Sequence, residues 1–221
     1  MVTSNLSSQL RTLESELLIM GSMVEKAIAK SLDALKRRDL EASRQVVQED
    51  DYIDQKRFDI EEQCINIMAT QTPVARDLRN LVTVLHVSVE LERMADYAEG
   101  IGKISLMMGD EPPLKPLIDI PRMADKTVDM LKRSLDALVN RDIVAAYQVC
   151  NDDDEVDALY DQVYRELLTY MFEDPKSIQR ATYLLWVAHD LERVADRATN
   201  IAERVVYLVT GKLADINISK Y

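Results

Sequence analysis

The sequence predicts an all-α protein formed by tandem duplication, with two antiparallel three-helix bundles lying side by side about a pseudo-twofold axis. Three observations predict it. Five Gly and six Pro in 221 residues, beside 47% hydrophobic and 30% charged residues, leave too little turn chemistry for a β-sandwich or a doubly wound sheet. Apolar residues recur at alternating spacings of four and three, the period of a helix packed along one face. Whole segments also return about one hundred residues later. Ser31-Leu32-Asp33-Ala34-Leu35 recurs as Ser134-Leu135-Asp136-Ala137-Leu138 at an offset of 103. Leu91-Glu92-Arg93-x-Ala95-Asp96-x-Ala98-x-x-Ile101 recurs as Leu191-Glu192-Arg193-x-Ala195-Asp196-x-Ala198-x-x-Ile201 at an offset of 100.

The first bundle is expected over 1–107. Its first helix carries the seam Leu6, Leu10, Leu13, Leu17, Met20, Val24 and Ala27, and ends at Arg38-Asp39. Asp39 reads as the N-cap of a second helix over 40–71. Thr72-Pro73 reads as N-cap and first residue of a third. Residues 108–117 hold three of the six prolines and form the linker. The second bundle follows over 118–213, with Asp174-Pro175 repeating the Thr72-Pro73 signal at an offset of 102. The offset falls by three between the repeated blocks, so a deletion lies at that helix boundary, where connections tolerate it. Gly211 reads as the stop of the last helix, and 214–221 as a tail. Helices of thirty-odd residues would be about 45 to 50 Å long.

The formal net charge of −12 disfavours nucleic acid and anionic lipid as partners. Cys64 and Cys150 lie in helical patterns without a neighbouring Cys or His at metal-ligand spacing, which indicates neither a disulfide framework nor a thiolate zinc site. The N-terminus lacks the pattern of a signal peptide and no run approaches a membrane span, so a cytoplasmic protein without membrane insertion is expected.

The most informative feature is the face on which certain acids fall. At about 100° per residue, Glu92 lies within about 40° of Leu78, Leu81, Leu85 and Ser88, with Asp96 one turn on. Glu90, Thr83 and Arg79 fall on the opposite side. Glu192 and Asp196 are centred likewise among Ile178, Ala181, Leu185, Ala188 and Ala195. On the middle helices, Asp50 and Asp54 share a side with Val46, Val47, Ile53, Cys64, Ile65 and Met68, and Asp153 and Asp157 with Val149, Cys150, Val156, Leu167, Leu168 and Met171. Four inward pairs at i, i+4 spacing put carboxylates about 5 to 6 Å apart on one face. An uncompensated buried carboxylate is costly, so a proton, a cation, water, or a guanidinium from Arg57, Arg93 or Arg193 must answer each one. All-oxygen donors suit Mg²⁺, Ca²⁺, Mn²⁺, iron and zinc.

These residues resemble the PhoU family of phosphate-signalling regulators over nearly all of 1–213. The resemblance rests on the duplicated hairpins, on Asp50-x-x-Ile53-Asp54, on Thr72-Pro73-Val74-Ala75-Arg76-Asp77-Leu78-Arg79, and on Leu-Glu-Arg-x-Ala-Asp in both copies. It implies multinuclear iron or zinc clusters on Asp50, Asp54, Glu92 and Asp96, and on Asp153, Asp157, Glu192 and Asp196. It also implies a negative regulator of phosphate uptake, an adaptor and not an enzyme. Its expected partners are the ATPase subunit of the phosphate ABC transporter and, in many bacteria, a sensor histidine kinase; membrane association would be peripheral, through those partners, and a homodimer is an expected assembly. Two departures stand out: Gly100 replaces the Asn seen at Asn200, and the second copy lacks a counterpart to Pro-x-Ala-x-Asp-Leu-Arg.

Two other readings compete. A ferritin-like di-iron enzyme also buries carboxylates in a helical bundle, but its Glu-x-x-His is absent, because Thr83 and Trp186 stand three residues before His86 and His189. Both histidines are expected at helix surfaces or edges. A metal-independent helical interaction module would need no cluster, and the methionines, Met20, Met68, Met130 and Met171 among them, read as core filler. No arrangement for nucleophilic catalysis and no Gly-rich phosphate loop is present in the sequence.

Overall fold

The computed structural model describes residues 2–212. Six helices follow one another: α1 (Val2–Arg37), α2 (Leu40–Gln71), α3 (Arg76–Met108), α4 (Asp119–Asn140), α5 (Ile143–Glu173) and α6 (Ile178–Thr210), with a 3₁₀ turn at Pro175–Ser177. The tail expected over 214–221 lies outside the described residues, as does Leu213. No helix among the described residues is long and apolar enough to cross a membrane.

The two copies turn their first corner identically. Arg38 and Arg141 take left-handed backbone at φ 57 and 54, and the following aspartates cap the next helix. Asp39 accepts from the Ala42 amide at 2.9 Å and Asp142 from the Ala145 amide at 3.0 Å. Gly211 closes α6 in left-handed geometry at φ 72, its amide donating to the Tyr207 carbonyl at 2.8 Å. Asp174 caps the 3₁₀ turn, with Pro175 as its first residue.

The Thr72-Pro73 expectation is corrected. Thr72 ends α2 as a left-handed C-cap (φ 47, ψ 56), and α3 begins only at Arg76. The proline ring excludes right-handed helix from the residue before it, so here Pro73 acts as the stop of α2 rather than the start of α3. Helix lengths also differ from expectation, since α4 has only 22 residues against 36 in α1.

Within each copy all three helices touch, and α3 packs on α6 across the centre. Leu13, Met20 and Ile28 of α1 are fully buried against Leu81, Leu91 and Met94 of α3 in a core continuous with Leu184, Leu191 and Ile201 of α6. The central helices are thus buried on two sides. Thr83 and Glu90, on the face of α3 turned from its own bundle, meet α6. Thr83 is fully buried, and Glu90 accepts from Arg197 at 3.3 Å and Asn200 at 3.1 Å. Three residues assigned to inward stripes are instead exposed: Ile65 on α2, and Leu78 and Ile178 in the opening turns of α3 and α6, where neighbouring helices end.

Candidate metal centre

Helices α2 and α3 run antiparallel, as the Ser43–Ser105 and Arg57–Glu92 contacts show, so Asp50 and Asp54 face Asp96. One carboxylate oxygen from each of the three lies within 4.8 Å of the others, the one such triple among the described residues. Asp50 and Asp54 are half-buried and Asp96 is exposed, so the cluster forms an open groove rather than a closed cage. Asp50 sits on the core stripe of α2 between Val46 and Ile53, in a groove floored by Ala27 and Ala95 and edged by Lys26, Lys30 and Glu99.

Electrostatics in this groove disfavour ionised acids. Burial, then Glu99, Asp96 and Asp54, pushes the Asp50 carboxyl up to about 7 against the pull of Lys103. Asp96 is raised by burial and then by Asp54 and Glu99. Glu92 stands apart from the triple: its Oε1 lies 3.6 Å from Arg57 Nε, and Arg57 also bonds Glu61 at 3.1 Å and lies over the Phe58 ring at 4.4 Å. Burial and Asp96 raise Glu92, while Arg57 lowers it.

Glu99 is a member the sequence reading missed. It lies one turn beyond Asp96 and holds Lys103 at 2.5 Å. Its signal was present as an acid three residues after the Glu-x-x-x-Asp pair, on nearly the same face.

The second copy uses its carboxylates differently. Asp153 is buried and Asp157 half-buried on α5. Opposite them, Arg193 reaches Glu192 Oε2 at 3.1 Å and Asp196 Oδ2 at 2.8 Å. His189, also unassigned by the sequence reading, brings Nδ1 to 3.7 Å from Glu192 Oε2. Burial and Asp196 push Glu192 up to about 7, with Arg193 opposing and Asp157 and Asp153 adding repulsion. Burial and Asp196 likewise raise Asp157. A guanidinium therefore occupies part of the place that a cation would take.

The donor set of the first copy fits a hard or intermediate cation, with three converging carboxylate oxygens from two rigid helices and solvent access for the remaining ligands. Thiolate ligation finds no footing, because both cysteines are buried and burial pushes Cys64 and Cys150 up to about 12. His86 and His189 are exposed on their helices.

Comparison with known proteins then gives a consistent result. The family model described as PhoU domain matches residues 17–105 and again 120–205. The chain is 41% identical over 211 residues to a protein of Clostridium acetobutylicum called phosphate-specific transport system accessory protein PhoU homolog, covering 95% of this chain and 96% of that one. A homolog of the same name from Aquifex aeolicus is 38% identical over 94% of each chain. Among solved structures, PhoU from Pseudomonas aeruginosa superposes with a TM-score of 0.88 at 34% identity, covering 93% of this chain and 99% of that one. The phosphate transport system regulatory protein PhoU from Streptococcus pneumoniae gives 0.88 at 30% identity, covering 95% and 99%.

Proposed function

The chain belongs to the PhoU family, and from that premise we propose that it is an accessory protein of a phosphate-specific transport system that restrains phosphate uptake. It acts as an adaptor and not as an enzyme, binding the ATPase subunit of the phosphate ABC transporter and, where one exists, a sensor histidine kinase. The observation that supports this most is full-length similarity: both halves match the family model, and relatives named as transport accessory proteins are covered almost end to end.

Metal is part of the reading. Asp50, Asp54 and Asp96 hold a cation, iron or zinc first among the candidates, with Glu92 and Glu99 beside them. A bound cation would offset the mutual repulsion of these acids and fix α2 against α3. The second set, Asp153, Asp157, Glu192 and Asp196, binds metal more weakly, because Arg193 already supplies positive charge there.

Two measurements test the proposal. Metal content of the purified protein should fall when Asp54→Ala and Glu92→Ala are combined; unchanged content would remove the first site. Co-purification with the transporter ATPase from cells grown at low and high phosphate should differ between the two conditions. Failure to recover the ATPase in either would overturn the adaptor reading and leave the metal reading standing.

A further inference from the structure

The second copy carries a ridge of rings that the first lacks. On α6, Tyr183 and Trp186 lie with ring centroids 5.7 Å apart, and on the groove between α5 and α6, Tyr160 and His189 lie 6.2 Å apart. His189 is one turn beyond Trp186, and Tyr164 one turn beyond Tyr160, so the two ring pairs and Tyr164 follow one another at helical spacing on α5 and α6. Trp186 is 47% exposed and Tyr164 42%. At the repeat offsets of 103 and 100 the first copy has Arg57, Glu61, Thr83, His86 and Val89, a set without one Phe, Tyr or Trp. In a chain with only twelve such residues, four on one ridge are a concentration. Tyr160 and Tyr183 are half-buried against the core and anchor the ridge, while Trp186 and Tyr164 stand exposed above it, and exposed rings held on such a base mark a contact surface.

The charge around the ridge is acidic. Tyr160 faces Glu192, Asp161 and one cation, Arg193, which is committed to Glu192 and Asp196. Residues 152–161 of α5 carry six acids and no Lys or Arg. Rings beside carboxylates suit side chains with an aliphatic stem and a cationic head, since the stem stacks on the ring and the head reaches the acid.

We propose that the ridge of Tyr160, Tyr164, Tyr183, Trp186 and His189 is the docking face for a basic amphipathic helix of a partner protein. Apolar residues of that helix cover the Trp186 and Tyr164 rings, and its Lys or Arg residues reach Asp161 and Glu192. The first copy, with Arg57 and His86 at the equivalent places, does not take it. The surface borders the second acidic group through Glu192, and it does not rest on the transport role proposed above.

Trp186 is the sole tryptophan, so its emission reports the ridge directly. The full-length protein is titrated with a synthetic amphipathic peptide of Leu and Lys, about 18 residues or roughly 27 Å as a helix, and with its Leu and Glu counterpart. The Lys peptide should give a saturable blue shift that the Glu peptide does not. Tyr160→Ser with Tyr164→Ser should weaken binding about tenfold, whereas His86→Ser should leave it unchanged. If the double variant loses helicity, Tyr164→Arg alone decides, and it too should weaken the Lys peptide. The absence of a saturable shift, equal binding of both peptides, or full affinity in the tyrosine variants would overturn the proposal. A concentration-dependent shift without peptide, matched by dimer formation in sedimentation, would overturn it in favour of a second copy of the chain.

Discussion

Asn200 donates its side-chain amide to Glu90 across the α3–α6 seam at 3.1 Å, and the duplication leaves the mate of that bond unmade. The equivalent positions are Gly100 and Asp190, which meet so closely that a Cβ on Gly100 would stand 2.9 Å from Asp190 Oδ2. Glu90 also takes the Arg197 guanidinium at 3.3 Å. Burial, with no neighbouring cation to offset it, pushes Asp190 up to about 7. One half of the central seam is therefore ionic and the other proton-dependent.

Gly100→Asn should restore the missing donor. Among the described residues the only close contact is the far end of the Asp190 side chain, which can swing aside, and replacing a mid-helix glycine recovers part of about 1 kcal/mol in helix propensity. Carboxyl NMR should show the Asp190 midpoint moving down from about 7 in the variant. An unmoved midpoint would mean that the new amide does not reach it.

Thr83→Val should stabilise the protein by about 1 kcal/mol. Thr83 is fully buried against α6 and its hydroxyl has no hydrogen-bond partner among the described residues, so the substitution keeps the shape and removes a desolvated polar group. Urea unfolding of the two proteins gives the sign directly, and a loss of stability would show that the hydroxyl is satisfied in solution.

The metal-free protein should lose stability as pH rises from about 5 to 8. Asp50, Asp190 and Glu192 hold their protons up to about 7 in the folded chain, against 3.8, 3.8 and 4.5 when unfolded. Between those values the folded state binds more protons than the unfolded state, so each pH increment favours unfolding. Below the unfolded values the contribution is fully present; it is gone once pH has passed through the folded ones. Denaturation midpoints at a series of pH values test this, and saturating zinc should flatten the Asp50 share of the slope.

Arg193→Gln should strengthen metal binding in the second copy about tenfold. The guanidinium hydrogen-bonds Asp196 and forms an ion pair with Glu192, and its removal returns their oxygens to an incoming cation. Calorimetric titration with zinc, in a background where Asp54→Ala and Asp96→Ala disable the first copy, isolates the effect. Equal affinity with and without Arg193 would show that the pair does not compete with metal.

Much of the fold was legible because each signal was local. The Asp39 cap, the Gly211 stop and the 40–71 helix follow from short-range rules that tertiary contacts did not override. Pro73 was misread because one residue both forbids helix before it and permits helix after it, and the left-handed Thr72 settled which effect won. In the site, the helical period placed Asp50, Asp54 and Asp96 on facing stripes, but whether three oxygens meet within 4.8 Å depends on the register between α2 and α3. His189 and Glu99 went unassigned because each belongs to the groove only through a neighbour on the same helix.

By itself the sequence determined the duplication, the helical period and which acids share a face with the apolar stripe of their own helix, because side-chain direction along a helix follows from a fixed angle per residue. Only the tertiary structure decided that α3 and α6 are buried on both sides, which put Thr83 and Glu90 at an interface. It also decided that the two acidic groups differ, one gathered around Asp50 and the other drawn to Arg193. The reason is physical: periodicity fixes where a side chain points on its own helix, whereas the partner it meets depends on how helices distant in the chain slide and rotate against each other.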